Sequence, residues 1–339
     1  MEMRKEATLE QWKELYDITI KIKELNPWEH LWDLDFITII LPGIIDPFYC
    51  AIMGRGGGNF VISTYIGAEG IHNLYEFLEN DDLPYSQLMR YQNNNILCHF
   101  GDREELTKQE WQLIKDLGYK FRGRNNWIYF HHIEKGYFPY LLDQAQVLQQ
   151  TQVFKQLYAA LCAYINKEIA VDFEKGETLQ RFYSEEEQEW INQRTPMILP
   201  IIEYRVPIIE DEILIARLKK QSRTVIEVEI DIIYMPMEIR DKEYDKPIIP
   251  RMCILADSEN GMILSHAMLA PDDDDVNELL HSFISFILEV GKPRTLWIRD
   301  EATESVFIDI CEKIGVNLEI SSSLEIIDHF IETFNEDEF

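Results

Sequence analysis

The sequence predicts an α/β protein with two domains. Short runs of β-branched and aromatic residues alternate with longer amphipathic segments, and this alternation is typical of sheets covered by helices. The chain has 339 residues, which is long for one hydrophobic core, and 46% of them are apolar. We expect an α+β domain at residues 1–167, a boundary region with some strand at 168–221, and a mixed sheet with helices at 222–339.

The first domain begins with an amphipathic helix, because Leu9, Trp12, Leu15 and Ile22 recur at helical spacing and Pro27 follows. The later elements of this domain are predicted as strands at 36–41, 48–53 and 60–66, a helix at 67–78, a strand at 95–100, a helix at 106–117, a strand at 127–133 and a long helix at 141–166. The long helix contains no Gly or Pro. These elements predict a sheet with helices packed on it.

The glycine-rich stretch MGRGGGNFVISTYIGAEG, residues 53–70, raises the question of a phosphate-binding loop. Such a loop needs a strand, a glycine-rich turn and then a helix, so that backbone amides and the helix dipole meet the phosphate. Here another strand follows the turn, and residues 54–59 lack the final glycine of G-x-G-x-x-G. We therefore predict a β-hairpin whose turn glycines adopt positive φ, and no nucleotide cofactor.

The second domain is predicted from its strand and helix order. Pro196, Pro200 and Pro207 confine residues 171–220 to short or edge strands. The later elements are a strand at 224–235, a hairpin at 250–269 that turns at 257–261, a helix at 276–291, a strand at 294–300, a helix at 303–315, a strand at 316–320 and a helix at 323–334. Three antiparallel strands followed by alternating helices and strands predict a mixed sheet.

This order resembles the ribonuclease H-like fold, and most closely the catalytic core of small insertion-sequence transposases, over about residues 222–334. In that resemblance Asp231 of VEIDIIY takes the first acidic position and Asp300 of TLWIRDEA the second. The resemblance implies carboxylates that converge on two divalent ions, Mg²⁺ or Mn²⁺. A third acid comes from the last helix, where Glu325 fits and Asp328 is the alternative.

The same acids also have structural interpretations. Asp231 alternates outward in its strand, and Asp300 caps the helix that begins at Glu301. The acidic run at residues 271–275 precedes a helix, whose N-terminus such residues stabilise, and it lacks the Gly and terminal Glu of a calcium loop. The primary expectation is therefore no cofactor, with Mg²⁺ or Mn²⁺ at Asp231, Asp300 and Glu325 as the alternative.

The charge of the chain disfavours general nucleic-acid binding. The formal net charge is −29, divided as about −7 for residues 1–170 and about −22 for residues 171–339. Such a field repels polyanions, whose binding normally needs Lys and Arg along the phosphate backbone. The only compact basic group, Lys120, Arg122 and Arg124, is interpreted as a solvated strand end. A large acidic surface instead suits a basic protein partner.

Cysteine spacing and hydropathy indicate the compartment. The five cysteines are far apart, without a C-x-x-C pair, and are expected to be reduced and buried. The N-terminus lacks an apolar signal core, and no stretch approaches the roughly 20 apolar residues of a membrane helix. We expect a cytoplasmic protein that does not associate with membranes.

The whole chain also resembles a group of uncharacterised bacterial proteins, chiefly from Firmicutes, built from two adjacent domains of unknown function. The stretches that carry this resemblance are PWEHLWDLDF, MGRGGGNFVISTYIGAEGI, MCILADSENGMILSHAML and GKPRTLWIRDE. It supports the division into two domains and implies no activity.

The sequence as a whole favours a non-enzymatic binding or regulatory protein that uses its acidic surface. The alternative is a divalent-metal-dependent nuclease or phosphodiesterase with Asp231, Asp300 and Glu325 as ligands. No motif indicates the oligomeric state or a ligand.

Overall fold

The computed structural model describes residues 4–80, 83, 85–92, 94–235 and 237–336, and these form two compact units. The first unit comprises the described parts of Met1–Asp82, Tyr91–Ile202 and Arg240–Pro247. The second comprises those of Leu83–Arg90, Glu203–Ile239 and Ile248–Phe339. Residues 83–90 are thus flanked in the sequence by the first unit but group with the second. Residues 240–247 are flanked by the second unit but group with the first.

Both units contain helices and strands, which confirms the α/β class. The helices are α1 (Leu9–Glu24), α2 (Gly67–Glu79), α3 (Tyr85–Leu88), α4 (Lys108–Asp116), α5 (Gln144–Ile165), α6 (Glu212–Lys220), α7 (Asp275–Glu289), α8 (Glu301–Ile314) and α9 (Glu325–Glu336). The strands are β1 (Ile37–Ile40), β2 (Phe48–Met53), β3 (Phe60–Ile66), β4 (Asn95–Gly101), β5 (Trp127–Ile133), β6 (Glu177–Ser184), β7 (Glu189–Pro196), β8 (Glu227–Tyr234), β9 (Arg251–Asp257), β10 (Ile263–Leu269), β11 (Thr295–Ile298) and β12 (Asn317–Ile320). Within the described residues, no helix is both long and apolar enough to cross a bilayer.

The first unit is built on a mixed seven-stranded sheet in the order β5-β4-β3-β2-β1-β6-β7. Its neighbours are antiparallel except β1 and β6, which run parallel. One face packs on α1 and α5 through a single core that includes Trp12, Phe130 and Phe154. The long helix predicted at 141–166 is confirmed as α5.

The glycine-rich segment forms the predicted hairpin. β2 and β3 pair antiparallel on either side of the turn, from Phe48 opposite Ile66 to Met53 opposite Val61. Gly57 and Gly58 have φ values of 78° and 115°, which residues with a side chain rarely adopt. No helix follows the turn, so the arrangement that binds phosphate is not formed here.

The region 168–221, which we interpreted as a boundary with some strand, contains a regular hairpin whose turn is the acidic segment 185–188. β6 and β7 pair over their full length, and β6 adds to the first sheet beside β1. Sequence patterning missed this hairpin because its residues are mostly half-exposed and polar, so neither strand shows the apolar alternation of a buried strand.

The second unit contains a five-stranded sheet in the order β10-β9-β8-β11-β12. β10, β9 and β8 are antiparallel, and β11 and β12 run parallel to β8. α9 packs on one face, where Leu324, Ile327 and Ile331 meet Ile233 and Ile254. The predicted order of three antiparallel strands followed by alternating helices and strands is confirmed.

Candidate functional site

The candidate site lies on the face of the second sheet that α9 covers. β11 runs parallel to β8, with Trp297 opposite Glu229, so the next residue on the same face, Arg299, comes beside Asp231. Asp300 follows directly and is the N-cap of α8. The two acids named from the sequence are thus brought to one place by the parallel pairing of two neighbouring strands.

Arg90 contacts both of these acids. Its Nη1 donates to Oδ1 of Asp231 at 3.1 Å and to Oδ2 of Asp300 at 3.2 Å. Its Nη2 donates to Oδ2 of Asp231 at 2.8 Å and to the carbonyl of Ile232 at 3.2 Å. Arg90 follows α3 in the segment 83–90 of the second unit. A guanidinium therefore lies between the two carboxylates, where the resemblance implies a divalent ion.

Arg299 joins the same cluster from β11. Its Nε donates to Oδ2 of Asp231 at 2.7 Å, and its Nη2 donates to Oδ1 of Asp328 on α9 at 2.6 Å. Its Nη1 donates to the carbonyl of Ser322 at 2.6 Å. This fork-shaped side chain thereby links the central strand to the helix that covers it. A guanidinium can donate to several acceptors in fixed directions at once, which the ammonium group of a lysine cannot do.

All acceptor positions of Asp231 are used. Oδ1 accepts from Arg90 and from the backbone N–H of Ile232 at 2.9 Å, and Oδ2 accepts from Arg90 and Arg299. A carboxylate has about four lone-pair sites, so none is left for a further ligand. A divalent ion at Asp231 has to displace an arginine first.

Asp231 remains ionised in this cluster despite its burial. The side chain is 1% exposed, and burial alone raises the pKa of a carboxyl group. The charges and hydrogen bonds of Arg90 and Arg299 outweigh that effect and lower the pKa of Asp231 below its ordinary value. The interpretation that Asp231 alternates outward to solvent is wrong, because its strand face is covered by α9.

The other two candidate ligands have different surroundings. Oδ1 of Asp300 accepts from the backbone N–H of Thr303 at 2.8 Å, so the capping interpretation is confirmed while Oδ2 faces Arg90. Glu325 is exposed at the first position of α9, and Asp328 is the residue of that helix that contacts Arg299. Within the described ranges, no group of three or more His, Cys, Asp or Glu side chains is arranged to hold a metal ion.

The acidic run before α7 also surrounds an arginine. Arg251 on β9 is fully buried, and its Nη2 donates to the carbonyls of Ala270 at 2.7 Å, Pro271 at 3.2 Å and Asp273 at 3.4 Å. Its Nη1 pairs with Asp275. The expected capping of the helix is confirmed as well, since Asp274 accepts from the first backbone N–H groups of α7. The acidic run, like the pair of Asp231 and Asp300, therefore holds a guanidinium group.

Sequence reasoning missed the arginines. Arg299 stands one residue before Asp300, and its placement on the same strand face as Asp231 follows from the parallel register, which only the structure gives. Arg90 is 141 residues from Asp231 along the chain, in a segment with no periodic pattern, and no signal in the sequence links the two. Long-range side-chain pairing of this kind has no local signature.

The last part of the chain carries exposed carboxylates and almost no basic residues. Residues 301–339 contain 11 Asp and Glu but only 1 Lys or Arg, Lys313. Nζ of Lys313 forms an ion pair with Oδ2 of Asp309 at 2.7 Å. The exposed members among the described residues are Glu301, Glu312, Glu319, Glu325 and Glu332. We call these five residues the C-terminal acidic group.

Two family models match the chain. Residues 12–181 match the model described as Domain of unknown function (DUF7309). Residues 214–335 match the model described as Domain of unknown function (DUF6930). The two matched ranges together span most of both units, and neither description states an activity. No curated protein is similar enough to the chain to count as a match.

Proposed function

We propose that this chain, which belongs to the DUF7309 family, is a non-enzymatic binding protein whose acidic surface recognises a basic protein partner. The observation that carries the proposal is the full occupation of Asp231 by Arg90, Arg299 and a backbone amide. Acids that a metal-dependent enzyme keeps available for its ions are here engaged in ion pairs that hold the fold together.

The proposal includes a ribonuclease H-like fold for the second unit that is used as a scaffold. The strand order β10-β9-β8-β11-β12, with β11 and β12 parallel to the central strand, supports this fold assignment. A fold is compatible with many functions, so the site decides the activity. As placed, the residues of this site do not fit a divalent ion, because two guanidinium groups neutralise the same carboxylate.

Because Asp231 is fully paired, we assign recognition of the partner protein to the acidic surface. The C-terminal acidic group carries five exposed carboxylates in a part of the chain with a single basic residue. Such a field raises the association rate of an oppositely charged protein and suppresses encounters with acidic ones. Salt weakens this attraction, since the screening length is about 10 Å at 0.1 M ionic strength and about 3 Å at 1 M.

Affinity capture with a charge-neutralised variant tests this proposal. The variant combines Glu312→Gln, Glu319→Gln, Glu325→Gln and Glu332→Gln. Its matched control combines Glu185→Gln, Glu186→Gln, Glu187→Gln and Glu189→Gln, which removes four exposed carboxylates from the β6–β7 hairpin. We expect the natural chain and the control to retain a basic protein at about 0.1 M salt and to release it at about 1 M. The variant is expected to retain none.

Two outcomes contradict the proposal. Capture of the same protein by all three chains shows that the C-terminal acidic group does not recognise it. Capture that persists at about 1 M salt shows that the attraction is not electrostatic.

A divalent-metal-dependent nuclease or phosphodiesterase is the second candidate. The observation that favours it is the convergence of Asp231 and Asp300 on one nitrogen atom of Arg90, at 3.1 and 3.2 Å. The two carboxylates are close enough to share a cation, and an arginine is that cation in this structure. This candidate requires Arg90 to leave before any ion enters.

A further inference from the structure

In the first unit, Glu134, Tyr137 and Tyr140 surround the ammonium group of Lys246. Nζ of Lys246 donates to Oε2 of Glu134 at 2.8 Å. The same nitrogen lies 4.3 Å from the ring centroid of Tyr137 and 5.0 Å from that of Tyr140. The two rings meet edge to face at 78°, so they form two walls around the cation. We call Glu134, Tyr137 and Tyr140 the tyrosine cage.

This arrangement is suited to binding an ammonium ion. A cation within about 6 Å of an aromatic centroid is attracted to the negative face of the ring, and the attraction strengthens as water is excluded. Both tyrosines are buried, and Glu134 supplies the opposite charge. Burial raises the pKa of Glu134, but hydrogen bonds from Lys246 and Tyr140 outweigh it, so the pKa is lowered and the carboxylate stays ionised.

The cage walls are held by residues other than Lys246. The backbone N–H of His132 on β5 donates to the carbonyl of Tyr140 at 2.8 Å, and Nδ1 of His132 lies 2.6 Å from the Tyr140 hydroxyl. The Tyr140 hydroxyl in turn donates to Glu134, and the N–H of Tyr137 donates to the Glu134 carbonyl at 3.1 Å. These contacts orient the rings whether or not a lysine lies between them.

Lys246 enters the cage from a distant part of the sequence, 112 residues from Glu134. It lies in the connection between β8 and β9, whose residues 240–247 group with the first unit. Residues 241–243 and 245 are exposed, and the side chain of Lys246 is 20% exposed. A short, largely solvated segment thus places one lysine in a preformed site.

We infer that the tyrosine cage is a binding site for a lysine side chain of a basic protein, and that Lys246 fills it as an internal competitor. The inference rests on the proposed function, because a basic partner supplies the competing lysine. The partner's lysine then takes the place of the Lys246 ammonium group between the two rings and Glu134. An external lysine can bind only those cages that Lys246 leaves empty. Its apparent affinity is therefore the intrinsic affinity multiplied by the fraction of empty cages.

The test uses a small probe, N-α-acetyl-lysine N-methylamide, with the full-length chain. Binding is followed by NMR through the ring resonances of the tyrosines. We expect Lys246→Gln and Lys246→Met to bind the probe at least about tenfold more tightly than the natural chain. The matched control Lys242→Gln removes an exposed lysine from the same segment and is expected to bind as the natural chain does. Adding Tyr137→Leu to Lys246→Gln is expected to abolish binding.

Equal probe binding by Lys246→Gln and Lys242→Gln overturns the inference, provided that both melt at the temperature of the natural chain. So does undiminished binding after Tyr137→Leu. Because two different substitutions are made at position 246, probe binding can still be measured with one variant if the other fails to fold. The assay contains no partner protein and does not involve the C-terminal acidic group, so its failure is distinguishable from failure of the affinity capture.

Discussion

The guanidinium of Arg90 binds both oxygens of the Asp231 carboxylate, at 2.8 and 3.1 Å. The Asp231 side chain is buried in the second unit, with 1% of its surface exposed. Removing two charges from water is costly, and mutual attraction offsets that cost only when the geometry is good and the other hydrogen-bonding positions are filled. Arg299 and the N–H of Ile232 fill those positions. The cluster is therefore sensitive to the loss of any one member.

Asp231→Asn is expected to lower the free energy of unfolding by about 3–5 kcal/mol, because it leaves two buried guanidinium groups facing a neutral amide. The matched control is Glu227→Gln on the same strand. Glu227 accepts from Trp297 and from the largely exposed Arg294, and an amide oxygen can still accept from both, so the control is expected to cost less than about 1 kcal/mol. Urea unfolding followed by circular dichroism measures both. Equal losses for the two variants contradict the claim that burial makes the Asp231 cluster decisive.

The stability that Asp231 contributes depends on pH in a defined direction. The pKa of Asp231 is lowered in the folded chain, so the stabilisation is fully present above the ordinary pKa of about 3.9 and is lost as pH falls through the folded value. The difference in unfolding free energy between the natural chain and Asp231→Asn is therefore expected to be constant between about pH 7 and about pH 5 and to narrow below about pH 4. A difference that stays constant to about pH 2 rules out this coupling.

Divalent ions are expected to leave the melting temperature of the natural chain unchanged. A ligand that binds only the folded state raises stability by mass action, but every acceptor of Asp231 is occupied. Thermal unfolding with and without Mn²⁺ or Mg²⁺ measures this for the natural chain, Asp231→Asn and Asp300→Asn. A rise in the natural chain that both substitutions abolish favours the nuclease or phosphodiesterase candidate over the binding protein.

Arg251→Lys is expected to cost at least about 2 kcal/mol, although it conserves the charge. Nη2 of Arg251 donates to three backbone carbonyls while Nη1 pairs with Asp275, and an ammonium group cannot reach the same set of acceptors. Arg223→Lys is the control, because Arg223 donates to a carbonyl in an exposed position. Similar unfolding free energies for the two variants in urea refute a special role for Arg251.

Much of the fold is predictable from the sequence because buried strands and amphipathic helices carry periodic patterns. β8, β9 and α7 lie where their apolar residues and caps place them, and the Asp300 cap follows from a local preference. The cation between Asp231 and Asp300 is not predictable in this way. Arg90 reaches it from the turn that follows the four-residue helix α3, 141 residues from Asp231 along the chain, and neither spacing nor composition encodes that contact.

Glu229 and Asp231 are two residues apart on β8 and face the same helix, yet their pKa values move in opposite directions. Burial dominates at Glu229 and raises its pKa, whereas hydrogen bonds from the backbone N–H groups of Ile326 and Ile327 and the charge of Arg299 lower it without outweighing burial. Among the residues that the structure describes, no arginine forms an ion pair with Glu229. A raised folded pKa means that ionised Glu229 opposes folding at neutral pH, whereas the protonated form below the ordinary pKa does not. The two neighbouring acids thus differ because Asp231 accepts hydrogen bonds from two guanidinium groups, whereas Glu229 accepts them from backbone N–H groups.

Glu229→Gln is therefore expected to unfold at a higher urea concentration than the natural chain at about pH 7, because the amide oxygen keeps an acceptor for α9 without a buried charge. The advantage is expected to shrink as pH falls towards about 4, where the natural side chain is itself protonated. Glu319→Gln, on the exposed edge strand β12, reports the effect of removing one surface charge. Urea unfolding curves of Glu229→Gln and Glu319→Gln that match at every pH show that Glu229 carries no burial penalty. A Glu229→Gln chain that is less stable than the natural chain at about pH 7 shows that the Glu229 charge supports the N-terminus of α9.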